Sequence, residues 1–218
     1  GGVVGFGIGG VSMFQSLPRL GSNLSTLIVQ CGSAVVAAGL EWQWLGTQLS
    51  PMQIGCAALT LLGICIGLLP RSMPRVSPAQ WTAGLSWALL AAMGQGVGAV
   101  ISRKASGTAA YQRALGGLLV AAIVVLFFHG RRGTAAPEPK RAWPWVTANA
   151  LTGPILGVAC FQWALRSTPA GIVQPIVAAA PLLTIPFAAW LEGSRPRATY
   201  YIGAVLAVAG VAGLLIWR

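Results

Sequence analysis

The sequence predicts an all-α integral membrane protein with eight transmembrane helices, and three observations support this fold class. Apolar residues make up 56% of the 218 residues and charged residues only 8%, whereas a soluble domain carries roughly a quarter charged residues to hydrate its surface. Several apolar runs reach the ~20 residues that a helix needs to cross a bilayer. These runs do not alternate between polar and apolar residues, which argues against barrel strands and leaves helices as the spanning elements.

Eight apolar runs are separated by short segments rich in proline, glycine and basic residues. We predict spans at 1–17, 22–45, 51–70, 81–102, 107–129, 143–165, 169–191 and 198–217. Prolines at the junctions, such as Pro18, Pro51 and Pro169, separate neighbouring runs. Tryptophans near several run ends fit the membrane interface. Glycine and alanine dominate the interiors of the runs, which predicts close packing of helix backbones.

The formal net charge of +11 comes from cations in short clusters between the apolar runs. No basic face with stacking aromatic residues accompanies them, so we expect anionic headgroups of a lipid bilayer, and no nucleic acid, as their partner. The four cysteines lie in apolar runs without a CxxC pair, and the single histidine, His129, ends such a run. We therefore expect buried thiols, no metal site and no cofactor.

The chain begins at Gly1, inside an apolar run and without the basic region or cleavage site of a signal peptide. We expect it to be a fragment of a longer protein.

Two hexapeptides in the chain are similar, FQSLPR at 14–19 and FQWALR at 161–166. Both read Phe-Gln, three residues, then Arg, and they are offset by 147 positions. The same offset places Gly63 on Gly210, and it relates the beginning of the chain to its end. This self-similarity predicts an internal repeat. We interpret the glutamines and arginines of both hexapeptides as interface anchors.

Counting membrane crossings predicts that the repeat is inverted. Five predicted spans separate the two hexapeptides, and each crossing reverses direction, so the two copies have opposite orientations. Inverted repeats are typical of secondary transporters. We assign 1–70 to a first repeat of three spans, 71–80 to an inter-repeat loop and 81–217 to a second repeat of five spans. In an inverted five-plus-five helix repeat, the first two helices are then missing before Gly1.

Two long blocks resemble a known family. FQWALRSTPAGIVQPIVAAAPLLTIPFAAWLEGSRPRATYYIGAVLAVAGVAGLL (161–215) resembles the second half of an EamA-type transporter of the drug/metabolite transporter superfamily. MFQSLPRLGSNLSTLIVQCGSAVVAAGLEWQWLGTQLSPMQIGCAALTLLGICIGLL (13–69) resembles its first half. The usual Leu-Gly-Glu-Arg-type turn lacks its glutamate in both copies, and Glu192 stands two residues earlier. The resemblance implies ten spans and movement of small metabolites, often outward.

Polar residues inside the spans are costly and therefore suggest a cavity for substrate. Gln30 and Ser33 share one helix face with Glu41 by helical arithmetic, and Gln174 shares a face with Pro181. The predicted substrate-binding residues are Gln30, Ser33, Gln95, Asn149, Gln174 and Pro181. The alternative is that these amides only hydrogen-bond neighbouring helices.

Three charged residues near or within spans are candidates for ion coupling or anion contact: Glu41, Arg113 and Glu192. Glu41 and Glu192 each lie close to a helix end, so snorkelling to the membrane interface is the favoured interpretation for both. Arg113 lies about two turns into its span, and snorkelling beside Arg103 and Lys104 is favoured there over contact with an anionic substrate group. The hypothesis of proton coupling through Glu41 requires that its carboxyl faces the cavity.

No nucleophile, paired carboxylates or phosphate loop appears in the spans, so we expect a protein that is not an enzyme. We predict a secondary transporter of small metabolites or drugs, acting as an exporter in the bacterial cytoplasmic (inner) membrane. Its partners would be the bilayer, a small-molecule substrate and, as a candidate, a second copy of the chain in a homodimer. The alternative is a non-transporting membrane scaffold.

The orientation in the membrane stays open between two predictions. The loops after spans 1, 3, 5 and 7 carry nine cations and the other side carries four, which by the positive-inside rule puts the carboxyl terminus outside. The family resemblance implies that both termini are cytoplasmic.

Overall fold

A computed structural model describes residues 1–70, 76–105, 109–129, 143–183, 186 and 198–217. Within these ranges every regular element is helical, which confirms the all-α fold class. The elements are a π-helical Val3–Ile8, α1 (Gly9–Leu20), α2 (Ser22–Leu40), a π-helical Glu41–Leu45, α3 (Pro51–Leu68), α4 (Pro78–Lys104), α5 (Ala109–His129), α6 (Trp143–Ala150), a π-helical Leu151–Gly157, α7 (Val158–Ser167), α8 (Ala170–Ala178) and α9 (Ala198–Ile216).

Four helices in the described part of the chain are long and apolar enough to cross a membrane, judged by length and composition. They are Ser22–Leu45, Pro51–Leu68, Pro78–Lys104 and Ala198–Ile216. Helical residues also occupy the other four predicted runs. The assignment of all eight as membrane spans, and their inverted repeat, stays a prediction.

The sequence Ser-Pro-x-Gln begins both α3 and α4. Ser50 accepts a hydrogen bond from the Gln53 backbone N–H at 3.2 Å, and the Gln53 side chain accepts one from the Ser50 N–H at 2.9 Å. Ser77 accepts from the Gln80 N–H at 3.3 Å in the same way. Proline then occupies the first helical position, where no N–H is needed. These caps fix where the two long apolar helices start.

Glycines let α1 and α4 pack backbone to backbone. A Cβ added at Gly94 would lie 2.8 Å from the Gly9 nitrogen, and one at Gly98 would lie 2.7 Å from the Gly5 Cα. Near the start of α4, a Cβ at Gly84 would lie 2.8 Å from the Arg19 Cβ. The two helices are therefore antiparallel, and these glycines pack as the sequence suggested.

α2 packs along α4 in the parallel direction. A Cβ at Gly96 would lie 2.8 Å from both the Ser33 carbonyl oxygen and the Val36 Cβ. The first core cluster joins α2, α4, α7 and α8: Ala37, Ala99, Val100, Leu165, Ala170 and Val173. Two further clusters lie between α2, α3, α8 and α9 and between α1, α2 and α4.

The α3–α9 interface is antiparallel and built from small residues. A Cβ at Gly63 would lie 2.9 Å from the Ala207 Cα, and one at Gly210 would lie 2.7 Å from the Thr60 nitrogen. At the far end the Gln53 side chain donates to the Trp217 carbonyl at 3.1 Å. The Thr60 hydroxyl is fully buried and donates to the Cys56 carbonyl within its own helix, so it makes no hydrogen bond across the interface.

The two similar hexapeptides lie in different environments. Arg19 is in the last turn of α1 and donates to the Gln15 side chain at 3.1 Å. Arg166 is exposed in the last turn of α7, but Gln162 is buried, with 5% of its surface accessible. The interpretation of Gln162 as an interface anchor is therefore wrong, because its face of α7 packs inward rather than toward headgroups.

Candidate functional site

A cavity of about 540 Å³ lies among α2, α4, α7 and α8. Three predicted glutamines from three different helices line it, Gln30 of α2, Gln95 of α4 and Gln174 of α8. Phe161 and Thr168 contribute to the same wall. None of the lining residues that the structure describes is charged. The cavity is thus an apolar space with a few amide groups directed at it, which is the usual composition of a small-molecule site.

An irregular helix forms one side of this cavity. The π-helical segment Leu151–Gly157 connects α6 to α7, and Gly153 and Gly157 of this segment line the cavity. Cys160, in the first turn of α7, also lines it and is an exposed, free cysteine. π-Helical turns inside α-helices are rare overall, but those that occur are often found at functional sites. Because glycine has no side chain beyond a hydrogen atom, Gly153 and Gly157 leave space in the cavity next to the glutamines.

The glutamine side chains are not used to tie helices together in the described part of the chain. No described residue hydrogen-bonds the side-chain amide of Gln30 or Gln174, and Gln95 reaches only the Met13 sulfur at 4.0 Å. Interhelical amide bonds are what a purely structural role would require. The amides of the cavity therefore keep donors and acceptors for a bound molecule.

Glu41 lies at one end of the bundle, where three helices meet. Its side chain is almost fully buried, with 1% of its surface accessible. Oε1 accepts a hydrogen bond from the Ala170 N–H at 2.8 Å and Oε2 accepts one from the Gly171 N–H at 2.8 Å. The Arg103 guanidinium forms an ion pair with the same carboxylate. Glu41 thus caps the first turn of α8 while it pairs with the last turn of α4.

The prediction that Glu41 snorkels to the membrane interface is wrong. A carboxylate near a helix end can reach water, but here two backbone N–H groups and a guanidinium take the place of water. Burial of a charge is tolerated when its partner and hydrogen bonds are present. The positive end of the α8 dipole also favours a negative charge at this position.

Two other predicted cavity residues, Ser33 and Pro181, are not among the described lining residues. Ser33 lies 300° from Gln30 around α2 and packs toward α4, and its hydroxyl donates to the Gln30 carbonyl at 3.0 Å. Pro181 follows α8 and is outside the described lining. Asn149 and Arg113 lie in α6 and α5, but their side chains are outside the described residues, as is Glu192 altogether.

Arg103 is the residue that sequence reasoning missed. It is one of the four cations on the less charged side of the predicted topology, just after the predicted span 81–102, but α4 continues through it to Lys104. Lys104 lies over the Trp44 ring, 4.3 Å from its centroid, beside the Glu41 pair. A signal was available, since the predicted topology puts the ends of spans 2 and 4 on the same side and each end carries an unpaired charge.

A second cavity, of about 760 Å³, lies between α2, the segment 46–50 and α3. Its described lining is mostly apolar, with Thr47 and Gln48 at one end. Gly171 and Pro175 of α8 also line this second cavity, so α8 contributes to the walls of both cavities. In the described residues no group of three or more His, Cys, Asp or Glu side chains could hold a metal ion.

These features define an α-helical integral membrane protein with a mostly apolar cavity that three glutamines line. The model of the EamA-like transporter family matches residues 82–216, which is more than half of the chain. The chain belongs to this family of transporters, and the resemblance found in the sequence is confirmed.

One solved crystal structure, described only as that of a protein, has the same fold. It aligns with a TM-score of 0.81 and 20% sequence identity, over 100% of this chain and 76% of that chain. At this identity the similarity shows the fold alone. No curated protein is significantly similar in sequence to this chain.

Proposed function

We propose that the protein is a secondary active transporter that exports small metabolites or drugs by alternating access to the 540 Å³ cavity. The observation that carries this proposal is the convergence of Gln30, Gln95 and Gln174 on one cavity without hydrogen bonds between them. Membership of the EamA-like transporter family supports transport as the activity. Outward movement as its direction is what the resemblance to EamA-type transporters implies.

The lining favours a substrate that is uncharged in its bound part. Amides can donate and accept hydrogen bonds at once, so they suit hydroxyl, amide or carbonyl groups. Phe161 and the aliphatic residues of α8, such as Ile172 and Val177, suit an apolar or aromatic body. An isolated carboxylate or phosphate would find no counter-charge among the described lining residues.

The α3–α9 interface supports the proposed inverted repeat. Gly63 meets Ala207, and Thr60 meets Gly210. Adding the offset of 147 to positions 60 and 63 gives 207 and 210, so the two contacts exchange under the offset. A two-fold axis between antiparallel helices produces this reciprocity, and inverted transporter repeats are related by such an axis.

The positions of the two arginines give a second, independent support. Arg19 lies against Gly84, near the start of α4. Leu165, next to Arg166, shares a core cluster with Ala99 and Val100, near the end of α4. The two copies of the hexapeptide thus end at opposite ends of one long helix. We propose on this basis the division of the two repeats at 71–80. Location in a bacterial inner membrane and assembly as a homodimer are further proposals, which this observation does not address.

Thiol accessibility tests the proposed function without knowledge of the substrate. Cysteine is placed singly at Gln30, Gln95 and Gln174 in a chain whose four native cysteines are replaced by serine. A membrane-impermeant thiol reagent is then applied to either face of proteoliposomes. We expect modification from both faces at all three positions, because alternating access opens the cavity to each side in turn.

A cysteine at Ala88, a fully buried residue of the same helix as Gln95, is the matched control and should stay unmodified. Protection of the three cavity positions from both faces would favour the scaffold alternative. Modification from one face alone would indicate a pocket that does not exchange between the two sides, and it would contradict alternating access.

A further inference from the structure

The contacts of Glu41 connect three helices that could otherwise move apart. We name the Glu41 carboxylate, the Arg103 guanidinium and the N–H groups of Ala170 and Gly171 the Glu41 latch. The latch joins the end of α2, the last turn of α4 and the first turn of α8. These partners are separated in sequence by 62 to 130 residues, so the latch is a tertiary contact rather than a local cap.

The latch lies just beyond one end of the cavity. Thr168 and Val173 line the cavity, and the latch residues Ala170 and Gly171 stand between them in sequence. Val173 and Ala170 also belong to the buried cluster with Leu165 and Val100. The cavity is therefore bounded at this end by an apolar layer, with the charged latch next to it.

α8 is a short helical segment that is followed by an interruption. It begins after Pro169, and a turn at Ala179 separates its nine residues from the helical residues 180–183. Pro175 inside α8 removes one backbone hydrogen bond of the helix. Secondary transporters typically form their substrate sites from interrupted helices of this kind, so α8 is the part of the cavity wall that we expect to move.

The chemistry of the latch suits a contact that opens and closes. When α8 moves away, the carboxylate, the guanidinium and the two N–H groups can each be hydrated, so separation replaces good hydrogen bonds by water. Apolar contacts alone would close this end without fixing the register of α8. The two backbone bonds and the ion pair define one closed position.

We propose that the Glu41 latch is the gate that closes the cavity at this end, and that it must open when the cavity is accessible from that side. The inference rests on the proposed transport function. Glu41 and Arg103 are gating residues in this assignment and do not contact substrate. Loss of the carboxylate charge weakens the ion pair and the cap together, so it shifts the conformational equilibrium toward access from the latch side.

Native Cys160 reports on the gate because it lines the cavity and is not itself one of the latch residues. Cys31, Cys56 and Cys65 are replaced by serine, and the full chain is reconstituted in liposomes. The rate of modification by an impermeant methanethiosulfonate is measured from each face. We expect Glu41→Gln and Arg103→Gln each to raise the rate from the latch face by about tenfold, which is a modest population shift.

Ser77→Ala is the matched control, since it removes a helix cap at the other end of α4 and leaves the latch intact. It should change neither rate. Unchanged rates from both faces in Glu41→Gln, with Cys160 still modified, would overturn the gate and leave the proposed transporter standing. Absence of modification of Cys160 from either face in the parent chain would contradict the accessible cavity and the gate with it.

A cross-link gives the opposite perturbation and serves if Glu41→Gln does not fold. A Cβ at Gly171 would lie 3.2 Å from the Ala38 Cβ, close to the Cβ separation of disulfides. In Ala38→Cys/Gly171→Cys, oxidation should lower modification of Cys160 from the latch face about tenfold, and reduction by dithiothreitol should restore it. Equal rates from that face in the oxidised and reduced protein would overturn the gate.

Discussion

The α3–α9 interface and the Glu41 latch both hold distant helices together, but by opposite means. At the α3–α9 interface the backbones touch at Gly63, Gly203 and Gly210, and the buried hydroxyl of Thr60 bonds within its own helix. At the latch a buried carboxylate meets a guanidinium and two backbone N–H groups. Small residues that pack closely fit together in one geometry, and no other group takes the place of the partner helix. A charged contact keeps water as an alternative partner, so it suits a joint that moves.

The largest effect on stability is expected at the α3–α9 interface, the contact that the comparison identifies as fixed. Gly63→Leu should destabilise the protein by about 3 kcal/mol or more, because the new side chain would meet the α9 backbone, which cannot move aside. The midpoint of thermal unfolding in detergent, with retention of helical circular dichroism, measures it.

Gly55→Leu is the control on the same helix, since a Cβ at Gly55 meets nothing within 4 Å. It should be neutral or slightly stabilising, because leucine is a better helix former than glycine by about 0.8 kcal/mol. Equal destabilisation by both substitutions would mean that the α3–α9 contact is not the fixed joint.

An intermediate effect is expected at the latch. Glu41→Ala should cost about 3 kcal/mol, because it leaves the Arg103 charge and two α8 N–H groups without their acceptor. In a double-mutant cycle with Arg103→Gln, the coupling free energy should be about 1–3 kcal/mol. Denaturation of the four proteins by sodium dodecyl sulfate measures the cycle. A coupling free energy near zero would show that the two residues do not act as one contact. It would contradict the contrast between the α3–α9 interface and the Glu41 latch.

The smallest effect is expected at the edge of the latch. Trp44→Leu should lower the free energy of unfolding by about 0.5–1 kcal/mol through loss of the Lys104 cation–π contact. Trp42→Leu is the matched control, because Trp42 is similarly exposed, at 63% against 52% for Trp44. If Lys104→Gln removes the difference between the two tryptophan variants, the cation–π contact is its source. A difference that persists in Lys104→Gln would assign it to packing instead.

The fold class could be predicted from the sequence because it depends on composition along short segments. Apolar runs are local, so they indicate α3 and α4 before any tertiary contact is known, although the Ser77 cap starts α4 at Pro78, three residues before the predicted span. The glutamines were found by the same local logic, since an amide such as Gln95 is conspicuous in an apolar run. Two long blocks of sequence carried the family resemblance, and the family model matches the second of them within residues 82–216.

The environment of Glu41 could not be predicted, because its three partners come from elsewhere in the chain. A carboxylate four residues before the end of a helix reads as interfacial unless Arg103 and the start of α8 are known to lie beside it. Ser33 failed for a smaller reason. It lies 60° from the Gln30 face, which helical arithmetic treats as one stripe, but Ser33 is buried, its hydroxyl bonds to the Gln30 carbonyl, and it is not among the described lining residues of the cavity.

The latch also has a consequence for the order in which the chain is assembled. Glu41 and Arg103 are synthesised well before α8, whose Ala170 and Gly171 follow Glu41 by 129 and 130 residues. The ion pair can form as soon as α4 is in place, while the positions that α8 will fill on the carboxylate are still hydrated. Docking of α8 then displaces that water and completes the site, so the cavity acquires its third glutamine, Gln174, in the same late step as its gate.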